Sequence, residues 1–144
     1  MNIRKMTTED LEPLFKLISN AQVMKYIEPP YSKEKAAEFL SSAGLSESPL
    51  IYAVEDDGAF IGYVIYHDYD EGSVEIGWLL YPEYWNKGYA SDLTEQLIEK
   101  AFSENKDVVI ECSSLQEVSK HIANKFGFQY EGNIDGLDVF RLRR

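Results

Sequence analysis

Residues 84–91, Tyr-Trp-Asn-Lys-Gly-Tyr-Ala-Ser, set two bulky aromatics and a short polar loop immediately before a helical pattern. A helix N-terminus leaves its first amides without intrahelical partners and carries a partial positive charge. A loop of small residues there can wrap a phosphate with backbone donors. Gly88 permits close backbone approach or a positive φ, Ala90 and Ser91 keep the entrance clear, and Lys87 adds a point charge. The stretch matches neither GxxxxGK[ST] nor a GxGxxG after a strand. Asp92, in the first turn, favours helix initiation but would repel a phosphate aimed at it. By themselves these residues fit a pyrophosphate-sized cradle and a strain-relieving strand-to-helix connection equally well.

Other chemistries find less support. The one cysteine, Cys112, permits no internal disulfide, and with only two distant histidines, His67 and His121, no zinc set is expected. A thiol nucleophile needs a base beside it, so Cys112 reads as a buried structural residue. Lysine and arginine total 14 against 25 acidic residues, a net charge of −11, which argues against affinity for a nucleic-acid backbone or an anionic membrane and suits a cationic partner. Acidity for solubility alone explains the same balance. Neither a secretory pattern nor a long apolar run opens the chain, so a cytoplasmic protein is expected.

The elements that must hold the loop follow from the hydrophobic period. With 144 residues the expectation is a single domain, 1–144. A strand over 2–6 precedes Thr7-x-x-Asp10, a capping-type start, and Leu11, Leu14, Phe15 and Ile18 then recur at helical spacing. After the break at Pro29-Pro30, Ser32 opens a second helix over 33–43 with Ala36, Leu40 and Ala43 on one side. From Leu50 the period becomes that of strands. Segments 51–55 and 60–66 flank Asp57-Gly58, a hairpin signal, and a polar turn over 68–73 leads to a strand at 74–80. The loop follows, then a helix whose Leu93, Leu97, Ile98 and Ala101 form an apolar stripe. A buried strand at 108–112 implies a parallel crossover. A last helix, 116–125, carries Val118, Ile122 and Phe126 on one face, and strands 128–131 and 137–143 close the chain around residues 133–136. The sum is an α+β fold: a mixed, mostly antiparallel sheet of about seven strands with four helices on both its faces.

This order of elements, the stretch VEIGWLLYPEYWNKGYA (74–90) and the later SKHIANKFGFQYEG (119–132) together resemble the GNAT superfamily of acyl-CoA-dependent N-acyltransferases. Within it, the chain resembles the branch that acetylates ribosomal-protein N-termini and similar amines. The family loop, [QR]-x-x-G-x-[GA], is matched by residues 85–90 at Gly88 and Ala90, with Trp85 in the first place. The resemblance implies a GNAT-like fold with a splayed central strand pair, and acetyl-CoA as co-substrate with no metal. It places the pyrophosphate on the amides of Asn86, Lys87, Gly88, Tyr89, Ala90 and Ser91, and Trp85 as an anchor of the loop. The pantetheine arm would pair like an added strand with Trp78, Leu79 and Leu80, where that strand splays from the one ending at Cys112. The Leu79 or Leu80 amide would then donate to the thioester carbonyl.

Acyl transfer needs a neutral amine. At pH 7.5 an α-amino group, with pKa about 7.8, is roughly one third neutral, and a lysine, at about 10.4, about one part in a thousand. A base is therefore valuable, and Glu75 and Glu111 are the candidates, each on the less apolar side of its strand and each resembling a family position for a base or a substrate carboxylate. Glu75, which heads the E-I-G pattern, is slightly favoured; either residue also fits a solvated carboxylate on an open sheet face. The tyrosine that many family members use as general acid corresponds here to Ala123, and the CoA-contacting asparagine to Gln116. Ser119 is the remaining candidate for thiolate or pantetheine contact, although a solvent-facing serine fits as well. Tyr26, Tyr31, Tyr66 and Trp78 are candidates for an acceptor pocket, against the alternative that they pack the core. The expected activity is N-acetylation of a primary amine, such as a protein N-terminus or a polyamine, by a monomer or homodimer. The alternative is a non-catalytic acyl-CoA sensor. A tRNA-directed acetylase is disfavoured because the chain lacks a basic footprint.

Overall fold

The Thr7 side chain accepts from the Glu9 amide while Asp10 accepts from the Thr7 amide at 2.8 Å, closing the expected capping box in a computed structural model that describes residues 1–144. Arg4, at the end of β1 (Asn2–Arg4), donates twice to the Asp10 carboxylate at 2.8 Å, so this buried acid joins the first strand to the first helix. That helix, α1 (Leu11–Ile18), buries Leu14, Leu17 and Ile18. A further one-turn helix, α2 (Ala21–Met24), is capped by the Asn20 side chain on the amides of Gln22 and Val23. It brings the α-helices to five where the sequence predicts four, because one turn is too short to show a helical period. Next comes α3 (Lys33–Phe39), capped by Ser32 and continuing into a π-helical turn, Leu40–Gly44. The predicted stripe of Ala36, Leu40 and Ala43 is buried.

Seven strands form one sheet in the order β1-β2-β3-β4-β5-β7-β6. Here β2 is Ile51–Asp56, β3 Ala59–Asp68, β4 Ser73–Leu80, β5 Asp107–Cys112, β6 Gln129–Ile134 and β7 Leu137–Leu142. Asp57 and Gly58, at φ 52° and 78°, make the two-residue turn between β2 and β3. Asp135 and Gly136, at 52° and 88°, do the same between β6 and β7, so the longer predicted connection over 133–136 shortens to two residues. The pairs β1–β2, β2–β3, β5–β7 and β6–β7 are antiparallel, and β4–β5 is parallel.

The chain divides into two compact units, residues 1–66 with 78–87, and residues 67–77 with 88–144. In the first, Leu14, Leu17, Ile18, Ala36, Leu40, Ala53 and Tyr63 belong to one buried cluster, with Leu79, Tyr84 and Trp85 packed against it. In the second, α4 (Tyr89–Ser103) and α5 (Glu117–Lys125) both contact β5. The predicted α4 stripe of Leu93, Leu97, Ile98 and Ala101 is buried. On α5 the prediction needs correction: Val118 is 60% exposed, and the apolar side is Ile122 with Ala123. The helix begins at Glu117, so Val118 falls in its first turn and the inward face starts one turn later.

Candidate active site

The parallel pair β4–β5 is registered over three residues only, Ser73↔Asp107, Val74↔Val108 and Glu75↔Val109. Registered residues of neighbouring strands share a face, and side chains alternate along a strand. Glu75 therefore lies on the same face as Val109 and, two residues on, Glu111. The alternate residues Val74, Ile76, Val108 and Ile110 are at most 2% exposed. Two carboxylates are thus placed on one face by a register that only the folded sheet supplies.

Their surroundings differ. The Glu75 side chain is 19% exposed, and its carboxyl is held above the ordinary carboxylate range by burial and by the negative charge of Glu111, against the opposing influence of His67. Glu111 accepts a hydrogen bond from the Tyr69 phenol, which that bond, burial and the charge of Glu111 push up to about 12. The nearby cation Arg141 is in register with Val109 on β7, but its guanidinium is engaged by Asp70 at 2.9 Å and by Glu131 at 3.0 and 3.2 Å. Neither ion pair neutralises Glu75. His67, near the end of β3, directs Nε2 at Glu75 Oε1 across 3.7 Å, while its Nδ1 donates to the Asp68 carbonyl at 2.9 Å. His67, Tyr69 and Arg141 have no spacing signal in the sequence. His67 and Tyr69 sit at a strand end and in a turn, and register brings Arg141 in from 66 residues downstream of Glu75.

The loop before α4 is left-handed at two positions, Asn86 at φ 58° and Gly88 at φ 87°, with Gly88 as the N-cap. Glycine occupies this region freely, and asparagine is among the few other residues that tolerate it. No side chain caps α4, in contrast to Asn20 on α2 and Ser32 on α3. A β-carbon added at Gly88 would meet nothing within 4 Å, so the glycine serves backbone conformation and not local packing. In the second unit, Lys125 of α5 donates from Nζ to the Ser91 hydroxyl at 3.1 Å, setting a further cation in the first turn of α4. In the first, Trp85 donates from Nε1 to the Leu80 carbonyl at 2.9 Å, tying the loop to the end of β4.

The second unit contains Glu75, Glu111, Gly88, Tyr89, Ala90, Ser91, Gln116 and Ser119, and the first contains Trp78, Leu79, Leu80, Trp85, Asn86 and Lys87. Along β4, Trp78 to Leu80 lie beyond the last residue registered with β5. The Gln116 side chain accepts from the Ser113 amide at 2.8 Å, which engages its oxygen and leaves its NH2 pointing away from that bond. Ser119 is partly buried on α5. Among the aromatics, Tyr63 and Tyr66 are buried, whereas Tyr26 is 40% exposed. Tyr31 donates to Glu28 at 2.6 Å and stacks edge-on with Phe39. Cys112 is buried, which pushes its thiol up to about 11 and keeps it protonated and unreactive at neutral pH. No group of three His, Cys, Asp or Glu side chains is placed to hold a metal, and no helix is long and apolar enough to cross a membrane.

A family model described as an acetyltransferase (GNAT) domain matches residues 1–129. The chain is 30% identical over 135 residues to the uncharacterized N-acetyltransferase YnaD of Bacillus subtilis, covering 90% of this chain and 79% of the relative. A solved GNAT-family acetyltransferase from Bacillus anthracis matches with a TM-score of 0.85 at 24% identity, over 98% of this chain and 93% of that one. The spermidine N-acetyltransferase of Vibrio cholerae, solved with CoA and spermine, matches with a TM-score of 0.80 at 23% identity, over 97% and 92% of the two chains.

Proposed function

This chain belongs to the GNAT family of acetyltransferases, and from that premise we propose that it moves the acetyl group of acetyl-CoA to a primary amine by direct attack in a ternary complex. The observation that carries the reading is the unequal pair of carboxylates. Glu75 is partly buried, accepts no phenol and holds its proton more tightly than an ordinary glutamate, whereas Glu111 is engaged by Tyr69. A carboxylate with raised proton affinity is the better base toward an ammonium, since less free energy is lost in the transfer. Glu75 takes a proton from the entering ammonium, the freed amine attacks the thioester carbonyl, and the collapsing tetrahedral species expels CoA. One of its two N–H protons passes to the departing sulfur, with Ser119 or water in contact, and the other stays on the amide nitrogen.

The acetyl donor is proposed to lie with its pyrophosphate on the amides of residues 86–91 and its arm along β4 after Glu75. Support comes from the uncapped start of α4, the two left-handed residues before it, and the early end of β4–β5 pairing. The Leu79 or Leu80 amide is the proposed oxyanion donor. A net charge of −11 favours a cationic acceptor. That the Vibrio cholerae neighbour is a spermidine acetyltransferase supports including polyamines among the candidates.

The test is amine-dependent release of CoA from acetyl-CoA across a panel of spermidine, free lysine and short peptides with an unblocked N-terminus. Changing both Glu75 and Glu111 to Gln should reduce turnover while leaving affinity for acetyl-CoA nearly intact. Undiminished turnover in the double variant means that neither is the base. Binding of acetyl-CoA without turnover on any amine favours a sensor.

A further inference from the structure

Acetylation of an ammonium releases one proton overall: one N–H proton leaves with CoA as its thiol, and the other is taken by the base and must reach solvent. The base proposed here is partly buried and faces a second carboxylate, so the route of that proton is a separate structural question. We propose that His67 is a positioning residue that accepts the proton from Glu75 through Nε2 and passes it to water, resetting the base between turnovers.

This inference rests on the reading of Glu75 as the base, and its own ground is the geometry of the ring. A carbonyl oxygen only accepts, so the 2.9 Å contact with the Asp68 carbonyl requires the proton on Nδ1. The neutral imidazole then presents its lone pair at Nε2, the atom that lies 3.7 Å from Glu75 Oε1. Transfer requires that gap to close to hydrogen-bond length. The step balances: the O–H bond of protonated Glu75 breaks, an N–H bond forms at Nε2, and the imidazolium later gives that proton to water. His67 is also the more open of the two, 28% exposed against 19% for Glu75.

The charged and titratable groups around the pair agree with this direction of transfer. Glu111 on β5 sets a second carboxylate near Glu75, and Tyr69 remains a neutral phenol directed at Glu111. Arg141 of β7 is held by Asp70 and Glu131, and Lys106 pairs with Asp68, so no uncompensated cation opposes the transient charge.

The experiment has two arms. In 15N NMR, with His121 replaced to remove the other imidazole, neutral His67 should carry its proton on Nδ1. A proton on Nε2 overturns the proposal whatever the acceptor. In steady-state assays with the amine that turns over in the panel above, His67→Ala and His67→Gln should lower kcat roughly tenfold with KM for acetyl-CoA unchanged. Added imidazole should restore kcat in His67→Ala in proportion to its concentration, a response that a purely structural role would not produce. If Glu75→Gln loses activity while both His67 variants keep the wild-type kcat and pH profile, the relay is refuted and the base stands. If Glu75→Gln keeps full activity, the reading of the base itself fails.

Discussion

Replacing Gly88 isolates the contribution of backbone conformation to the proposed phosphate cradle. The residue sits at φ 87°, and a β-carbon there would meet no atom within 4 Å, so Gly88→Ala adds no steric clash with neighbours. What remains is the cost of holding an L-residue in the left-handed region, about 1–2 kcal/mol. If the loop relaxes to avoid that cost, binding must restore the conformation, and affinity for CoA should fall roughly 5- to 30-fold. Gly88→Val should lose more, because a β-branched side chain tolerates this region least. Isothermal titration with CoA measures the effect. Gly58→Ala is the internal control: Gly58 has φ 78° and the same empty surroundings, but it lies in the β2–β3 turn. It should cost similar stability and leave CoA binding unchanged. Lys87→Ala, which removes one exposed charge, should weaken CoA by roughly threefold, with the loss shrinking at high salt. Wild-type CoA affinity in Gly88→Val, or a larger loss from Lys87→Ala than from Gly88→Val, would refute the amide cradle.

Three further outcomes follow from the structure. Because the folded state raises the proton affinity of Glu75, the unfolded chain ionises first as pH rises, and stability falls above the ordinary glutamate range. Glu75→Gln should therefore lower kcat yet melt no lower than wild type at pH 7.5, with any gain in melting temperature vanishing near pH 4. Asp10 behaves oppositely. Burial raises its pKa, but the bonds from Arg4 and the Thr7 amide outweigh burial and hold it below the ordinary carboxylate range. Its contribution is present above about pH 4 and is lost as pH falls through the lowered value; Asp10→Ala should cost about 2–3 kcal/mol in urea unfolding at pH 7 and less at pH 3. At Gly62 a β-carbon would stand 2.0 Å from the Leu79 carbonyl oxygen and 2.9 Å from the Leu80 Cα, both backbone atoms. Gly62→Ala should destabilise by about 3 kcal/mol or more and lower the melting temperature by roughly 10 °C, as calorimetry would show.

Local signals in the chain carried a large part of this. The capping box at Thr7, the Asp57-Gly58 turn and the buried stripe of α4 depend on residues within a few positions of one another, and each forms as read. The additional helix α2 escaped because four residues hold no period, and Val118 was misassigned because a helical stripe does not reveal in which turn the helix meets the sheet. Similarly, the loop residues 86–91 could be proposed as a unit since they are contiguous. Their left-handed geometry was anticipated at Gly88 and missed at Asn86.

The site chemistry divides along the same line. Residue type and strand alternation were enough to single out Glu75 and Glu111 as candidates, because each lies on the less apolar side of its own strand. How the two proposed bases differ in surroundings depends on partners 8 to 66 residues away in sequence: Glu111 across the β4–β5 register, Tyr69 on Glu111, His67 on Glu75, and Arg141 held by Asp70 and Glu131. Proton affinity is set by burial and by charges within a few ångströms, and no local pattern encodes either. The chain alone thus marked most of the elements and the kind of residue at the candidate site; only the tertiary structure decided which partners surround each carboxylate and which imidazole nitrogen faces Glu75.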